Sequence, residues 1–218
     1  MSIWAIVPVK PLNLAKSRLE PVFSRAQREA LATATLCHVL RVLTSSPALT
    51  GVLVVSRDSR ALALARDCGA NTVVESGAPE LNAALARAMR ATRALGATAA
   101  LVLPADLPLL AAEDVDALVS LRCVDERRVV LSPDRHESGT NALLMCPPGV
   151  IAYAFGPGSF QAHQALAAEA GIAASVWRSP RLALDIDTPE DLACYRALAE
   201  ELGQEIIVPE LLELVPGC

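Results

Sequence analysis

Aromatic residues are scarce in this sequence, which has two tryptophans, two tyrosines and three phenylalanines among 218 residues. Basic residues are not in excess either, because 19 lysines and arginines stand against 24 aspartates and glutamates, giving a net charge of −5. Nucleic acids require cations against their phosphates, and single strands are bound by stacking bases on aromatic rings. We therefore expect no nucleic-acid partner. A small phosphorylated ligand, which needs only a few local cations, is compatible with this composition.

Features typical of membrane, disulfide and histidine-based metal proteins are also missing. No 18-residue apolar stretch is free of charge, and the first residues lack the charged and long apolar segments of a signal peptide. Three histidines are too few to suggest a histidine-based metal site, and no Cys-X-X-Cys pair is present. The six cysteines are Cys37, Cys68, Cys123, Cys146, Cys194 and Cys218. Most lie in apolar runs, where a reduced thiol packs as a small apolar group, so we expect a reduced, cytoplasmic protein without a membrane segment.

Apolar residues make up 53% of the sequence, and short apolar runs alternate with longer helical patterns. This alternation predicts a single α/β domain with a Rossmann-like, mixed but mostly parallel sheet flanked by helices. The closely spaced strands after residue 128 predict that the antiparallel part lies in the second half. The predicted strands are Ile3–Val9, Gly51–Ser56, Thr72–Val74, Ala99–Leu103, Val129–Ser132, Asn141–Met145, Ala174–Trp177 and Leu182–Asp187. We assign the domain to residues 1–203, and residues 204–218 to a tail that packs on the domain or on a partner.

Asp106 comes directly after a strand predicted to be buried, in a loop that two prolines stiffen, Pro104 and Pro108. Ligands of open α/β sheets bind at the carboxyl ends of the strands, and a carboxylate there favours a divalent cation. A helix N-cap is the structural alternative. The next helical pattern starts near Ala112, however, which is too far along the chain for Asp106 to cap it. We therefore interpret Asp106 as a functional carboxylate.

The loop after the first strand carries three cations, Lys10, Lys16 and Arg18. It lacks the Gly-X-Gly-X-X-Gly fingerprint and the P-loop motif, so neither the usual dinucleotide fold nor a P-loop NTPase is supported. Three cations at the end of a strand can bind a triphosphate and offset the negative charge that develops on it. A solvated surface loop is the alternative that the charges alone leave open.

Asp185 and Asp187 are two residues apart on a predicted strand, so their side chains share a face. Two carboxylates on one face repel each other unless a cation lies between them. Asp187 has a structural alternative, because Asp187-Thr188-Pro189 is typical of an N-cap followed by a proline at the first helical position. Together with Asp106, the pair predicts an all-oxygen site suited to magnesium.

Thr140 and Ser159 form a third candidate group. Thr140 follows Gly139, and Ser159 follows Gly158 at the start of a predicted helix. Free N–H groups and the helix dipole favour an anion at a helix start. An ordinary serine N-cap is the alternative interpretation of Ser159. His163 lies four residues further on, so it shares a helical face with Ser159.

The sequence resembles the CofC-type guanylyltransferases, because it contains their characteristic segments in the same order. These enzymes are similar in turn to nucleotidyltransferases with a glycosyltransferase-A-like fold. The likeness covers roughly residues 3 to 200. The segments that carry it are Val7-Pro8-Val9-Lys10, Ala15-Lys16-Ser17-Arg18-Leu19, Pro104-Ala105-Asp106-Leu107-Pro108, Gly139-Thr140-Asn141-Ala142-Leu143, Phe155-Gly156 with Ser159-Phe160 and His163, and Leu184-Asp185-Ile186-Asp187-Thr188-Pro189-Glu190-Asp191-Leu192. Each segment alone is common, whereas the combination is specific.

The resemblance implies transfer of GMP from GTP to 2-phospho-L-lactate or phosphoenolpyruvate, with release of diphosphate, in coenzyme F(420) biosynthesis. The roles that it implies are Mg2+ ligands (Asp106, Asp185 and Asp187), catalytic residues (Lys16 and Asp106), nucleotide-binding residues (Lys10, Lys16, Arg18 and Asn82) and acceptor-binding residues (Thr140, Gly158 and Ser159). Asn82 belongs to Glu80-Leu81-Asn82, where relatives have glycine at the first position. Another nucleotidyltransferase or glycosyltransferase, and a non-catalytic nucleotide-binding subunit, are the alternatives, and a homodimer is left open.

Overall fold

The structure is a computed structural model that describes residues 2–121 and 127–214. These residues form one sheet of seven strands. The strands are Ile3–Pro8 (β1), Gly51–Ser56 (β2), Asn71–Val74 (β3), Ala99–Val102 (β4), Arg128–Pro133 (β5), Thr140–Cys146 (β6) and Ala173–Val176 (β7). Seven of the eight strands predicted from the sequence therefore form, with bounds that differ by a residue or two.

The strand order is β3-β2-β1-β4-β6-β5-β7. Only β6 runs antiparallel to its neighbours, β4 and β5, while the other neighbouring pairs are parallel. The prediction of a mixed, mostly parallel sheet is therefore confirmed. Because β6 is reversed, its first residue lies at the same edge of the sheet as the carboxyl ends of β1 and β4.

Helices cover both faces of this sheet. They are Arg25–Ser45 (α1), Ser59–Asp67 (α2), Leu81–Ala94 (α3), Ala112–Ser120 (α4), Ser159–Glu169 (α5), Pro180–Ala183 (α6), Pro189–Leu202 (α7) and Pro209–Leu212 (α8). In the part of the chain described, all of them are too short or too polar to cross a membrane.

The central strand β1 is buried on both faces, as its continuous apolar sequence predicts. On one face, Ala5 joins a core cluster with residues of α1, among them the fully buried Leu40. On the other face, Ile6 joins Leu85 of α3 and Phe160 of α5. Burying a leucine of this kind contributes about 1.5–3 kcal/mol, and the two cores hold the loops at the carboxyl edge in place.

A third apolar cluster joins α7 to the described part of the tail. Val208 and Leu211 are buried with Leu31 of α1 and Tyr195 of α7. The Tyr195 hydroxyl also accepts a hydrogen bond from the Ile207 N–H at 2.8 Å. The tail up to residue 214 therefore packs on the sheet domain through apolar side chains.

The predicted strand Leu182–Asp187 is wrong. Ser179 caps a short helix, α6, by accepting a bond from the Leu182 N–H, and Pro180 occupies its first position. Leu184, directly after α6, has an extended backbone, but residues 184–187 belong to no strand of the sheet. An alternation of burial persists there, because Leu184 and Ile186 are buried while Asp185 and Asp187 are half-buried. The two-residue period thus identified an extended backbone but not a strand of the sheet.

The cysteines that the structure describes form no disulfide with one another. Cys146 is buried at the end of β6, while Cys37, Cys68 and Cys194 are half-buried. Cys123 and Cys218 lie outside the described residues. Cys194 Sγ accepts a hydrogen bond from Arg135 at 3.2 Å, so this thiol is in a polar contact. The reduced state of the cysteines remains a prediction.

Candidate active site

Lys16 lies in the loop between β1 and α1 and reaches across to the loop that follows β4. Its Nζ atom donates to Asp106 Oδ2 at 2.6 Å and to Asp187 Oδ1 at 3.4 Å. The side chain is only 4% exposed, so the solvated-loop interpretation is wrong for Lys16. Its backbone is left-handed, with φ 57°, a conformation that a residue with a side chain keeps only where its surroundings fix it.

The three predicted metal ligands meet at this point. Asp106, Asp185 and Asp187 each offer a carboxylate oxygen, and these oxygens lie within 4.8 Å of one another. All three residues are half-buried. A set of three carboxylate oxygens with access to water is the donor set that Mg2+ favours. The residues present therefore fit a magnesium ion.

Hydrogen bonds to the loop after β4 and from the start of β6 hold Asp185 and Asp187 beside Asp106. The Ile186 N–H donates to the Asp106 carbonyl at 3.3 Å, which brings the extended segment against the β4 loop. Asn141 Nδ2 donates to Asp185 Oδ1 at 3.1 Å and to the Leu182 carbonyl at 2.9 Å. The shared face predicted for the two aspartates is thus present, although the segment is not a strand.

The N-cap of α7 is Thr188, not Asp187. The Thr188 side chain accepts from the Asp191 N–H, and the Asp191 carboxylate accepts from the N–H groups of Thr188 and Asp187. The structural alternative for Asp187 is therefore wrong, and its carboxylate is left to face Lys16.

Burial and neighbouring charges shift the pKa values of this cluster. Burial raises the pKa of Asp185 to about 6, and the negative charge of Asp106 adds to the rise. Burial by itself lowers the pKa of Lys16, but the charges of Asp106 and Asp187 outweigh it, and the pKa is raised. Lys16 is therefore a permanent cation, and the cluster carries a deficit of positive charge that a divalent ion would offset.

The other two cations of the first loop lie at the surface. Lys10 is exposed, and Arg18 is 74% exposed, with its nearest guanidinium nitrogen 3.9 Å from Asp187 Oδ2. Both are accessible to solvent, and Arg18 lies beside the carboxylate cluster. Their role in binding nucleotide remains a prediction.

The candidate acceptor residues are buried at the same edge of the sheet. Thr140 is the first residue of β6, and Ser159 is the first residue of α5. The cap position of α5 belongs to Gly158, whose φ of 72° suits glycine, so Ser159 is not an ordinary N-cap. The Phe160 N–H donates to the Ser138 carbonyl at 3.1 Å, which holds the start of α5 beside the start of β6.

Asn82 and Glu80, at the start of α3, are engaged with the protein itself. The Asn82 amide donates to the Phe155 carbonyl at 3.1 Å and accepts from the Phe155 N–H at 2.8 Å. Glu80 caps α3 by accepting from the N–H groups of Asn82 and Ala83. Asn82 thus supports the loop before α5, while its contact with nucleotide remains a prediction.

A comparison with protein families decides the identity of the chain. The sequence model of the family described as Guanylyl transferase CofC like matches residues 3–196. The chain belongs to this family. The predicted CofC-type resemblance is therefore confirmed, and with it the assignment to the nucleotidyltransferase enzymes.

Curated CofC-like relatives cover nearly the whole chain. A protein of Rubrobacter xylanophilus named phosphoenolpyruvate guanylyltransferase is 45% identical over 197 residues, covering 90% of this chain and 95% of the relative. Its counterpart in Conexibacter woesei, with the same name, is 40% identical over 198 residues, covering 91% and 89%. The family model spans residues 3–196, from the first strand into α7, so the site residues lie within the region that it matches.

Solved structures confirm the fold. A crystal structure from Desulfovibrio desulfuricans G20, assigned to the nucleotide-diphospho-sugar transferases, has a TM-score of 0.77 at 16% identity, covering 99% of this chain and 97% of that one. A CMP:2-keto-3-deoxy-manno-octonic acid synthetase complexed with CTP has a TM-score of 0.59 at 15% identity, covering 93% and 100%. The predicted glycosyltransferase-A-like architecture is therefore correct.

Two positioning residues of this CofC-like site were given no role from the sequence. Asn141 fixes Asp185, and Asp134 shapes the turn before β6 by accepting from the N–H groups of His136, Ser138 and Gly139. A Cβ atom at Gly139 would come within 2.7 Å of Asp134 Oδ2, so glycine is required there. The sequence did contain one signal for Asn141, because it is a polar amide near the start of an otherwise apolar strand.

Proposed function

We propose that this chain transfers GMP from GTP to phosphoenolpyruvate. The names of the curated relatives support this acceptor over 2-phospho-L-lactate. The observation that carries the proposal is the buried Lys16 cation beside the three carboxylates, at the sheet edge that also holds Thr140 and Ser159. In this proposal, the residues for charged phosphates and those for a small anion lie at one edge of the sheet.

The reaction needs charge compensation more than proton transfer. A phosphate monoester has a second pKa near ~6, so an acceptor phosphate oxygen is already a nucleophile at pH 7. This oxygen attacks the α-phosphorus of GTP, a P–O–P bond forms, and the bond to the β-phosphate bridging oxygen breaks, so that diphosphate leaves. No general base is required. The task of the protein is to hold two anions together and to stabilise the leaving group.

In this proposal Asp106, Asp185 and Asp187 hold Mg2+, which supplies positive charge to the reacting phosphates when it is bound. Lys16 contributes a second fixed cation at the same place, and Lys10 and Arg18 extend the positive surface toward the triphosphate. These assignments are supported by the all-oxygen donor set and by the burial of Lys16.

The acceptor is assigned to the pocket at the starts of β6 and α5. Thr140 and Ser159 offer hydroxyl groups, and the dipole of α5 favours an anion near its start. The N–H groups of Ser159 and Phe160 already donate to the carbonyls of Gly156 and Ser138, so the two hydroxyls are the donors assigned to the acceptor. A role in coenzyme F(420) biosynthesis follows from the family resemblance. Homodimer formation and a cytoplasmic location remain predictions.

Diphosphate release tests the proposal directly. The purified protein is incubated with Mg2+, each of the four nucleoside triphosphates and, in turn, phosphoenolpyruvate, 2-phospho-L-lactate or a sugar phosphate. We expect release with GTP and phosphoenolpyruvate at the highest kcat/KM. Preference for a sugar phosphate would identify a different nucleotidyltransferase, and no release with any pair would favour a non-catalytic nucleotide-binding subunit.

A further inference from the structure

His163 is fully buried, and both of its ring nitrogens are engaged. The Ala154 N–H donates to Nε2 at 3.0 Å, and Nδ1 lies 3.0 Å from Thr140 Oγ1. The ring also packs edge-on against Phe155, with the ring centres 4.8 Å apart. None of these contacts was expected from the sequence, which placed His163 only on the same helical face as Ser159.

These two bonds determine which nitrogen carries the hydrogen. A backbone N–H can only donate, so Nε2 must accept and carries no hydrogen. Burial lowers the pKa of His163 to about 4, so the ring is neutral at pH 7 and its one hydrogen resides on Nδ1. Nδ1–H therefore donates to Thr140 Oγ1, and the hydroxyl acts as an acceptor toward the ring.

The hydroxyl hydrogen of Thr140 must then be directed elsewhere. Within residues 2–121 and 127–214, Nδ1 of His163 is the one group that bonds to Thr140 Oγ1. A hydroxyl that accepts from His163 keeps its own hydrogen for a second partner, which must be an acceptor. An anionic phosphate or carboxylate oxygen is such a partner.

We propose that His163 is a positioning residue that fixes the Thr140 hydroxyl as a hydrogen-bond donor to the acceptor substrate. This inference rests on the proposed function, in which Thr140 binds the phosphorylated acid. Asn82 supports the same arrangement from α3, because its two bonds to Phe155 hold the ring that packs on His163. Removing His163 would leave the hydroxyl free to rotate and to donate to other groups.

The test compares His163→Phe, which keeps a planar ring but loses both bonds, with Thr140→Val, which loses the hydroxyl. We expect each single variant to raise the KM for phosphoenolpyruvate about tenfold and to leave the KM for GTP within about twofold. The double variant is expected to be no worse than Thr140→Val alone, because His163 acts through Thr140. Thr44→Val, an exposed threonine on α1, is the matched control.

Three results would overturn the inference. They are an unchanged KM for phosphoenolpyruvate in His163→Phe, an effect of His163→Phe that adds in full to that of Thr140→Val, and equal losses for both substrates. A 15N NMR spectrum of the histidine rings gives an independent measure, since a hydrogen found on Nε2 would contradict it without any assay. If the wild-type protein neither binds nor turns over a phosphorylated acid, the proposed function itself fails, whichever tautomer is observed.

Discussion

Lys16 Nζ lies 2.6 Å from Asp106 Oδ2, although the two residues are 90 positions apart in the sequence. The pair joins the loop after β1 to the loop after β4 at the carboxyl edge of the sheet. A second contact, to Asp187, makes Lys16 the cation shared by the carboxylate cluster. The cluster thus combines a fixed positive charge with three carboxylates that could hold a divalent ion, a combination that suits a reaction between two phosphates.

Asp106→Asn is expected to lower kcat by at least about 100-fold while the melting temperature stays within a few degrees of wild type. Removing one ligand charge from a magnesium site costs several kcal/mol of transition-state stabilisation. Steady-state diphosphate release and circular dichroism measure the two quantities. Asp116→Asn, an exposed residue of α4, controls for the substitution. Near-normal turnover of Asp106→Asn at ordinary Mg2+ would refute the metal assignment.

Lys16→Met is expected to lower the melting temperature in the presence of EDTA. Added Mg2+ should then raise the melting temperature of the variant by more than it raises that of the wild type. Without the lysine, three carboxylates repel one another across less than 4.8 Å until a cation binds. Lys10→Met, in the same loop but exposed, should show neither effect. Equal Mg2+-induced shifts in Lys16→Met and wild type would show that Lys16 and the ion do not share the cluster.

Asn141→Ala is expected to weaken Mg2+ binding by about 10-fold, because residues that orient metal ligands typically contribute 10- to 100-fold in affinity. The amide that is lost donates to Asp185 Oδ1 at 3.1 Å. Calorimetric titration with Mg2+ measures the change, and Asn71→Ala, at the exposed start of β3, is the control. An unchanged affinity would mean that Asn141 serves the fold alone.

Ser159→Ala is expected to raise the KM for phosphoenolpyruvate roughly 10- to 150-fold and to leave the KM for GTP almost unchanged. A hydroxyl bound to an anionic oxygen contributes ~1.5–3 kcal/mol, and we propose that the triphosphate binds elsewhere, by Lys10 and Arg18. Initial rates with each substrate varied in turn give both constants. A residue with only a structural role would instead reduce the melting temperature and leave both KM values alone.

The free energy of unfolding is expected to fall by about 3 kcal/mol between pH 7 and pH 4 through His163 alone. Burial lowers its pKa from 6.5 to about 4 in the native state, whereas the unfolded chain takes up the proton near 6.5. The unfolded state therefore binds more protons as the pH falls through this range, and the native state loses stability.

Urea unfolding at several pH values, with His163→Gln measured beside wild type, isolates this contribution. Carboxylates titrate in both proteins, so their effects cancel in the difference. The variant should lose about 3 kcal/mol less than wild type over the same range. Parallel pH profiles would show that His163 is as easily protonated in the native protein as in the unfolded chain.

The sequence by itself determined much of the fold and indicated the carboxylates that meet at its carboxyl edge. Apolar runs such as Ile3–Pro8 must be buried on both faces, so they predicted central parallel strands. The turn chemistry around Asp106 and the two-residue spacing of Asp185 and Asp187 predicted where carboxylates gather. These are local properties, because side-chain alternation and proline geometry act over a few residues.

Only the tertiary structure decided which distant groups meet. The alternation in Leu184–Asp187 indicated an extended backbone, but a strand also needs a neighbouring strand to pair with its N–H and C=O groups. Here Ser179 caps the short helix α6, and the residues after it do not join the sheet. The burial of Lys16, the bond from Asn141 to Asp185 and the pairing of His163 with Thr140 span 23 to 90 positions. Contacts of this kind depend on how strands and helices pack, and no local pattern encodes them.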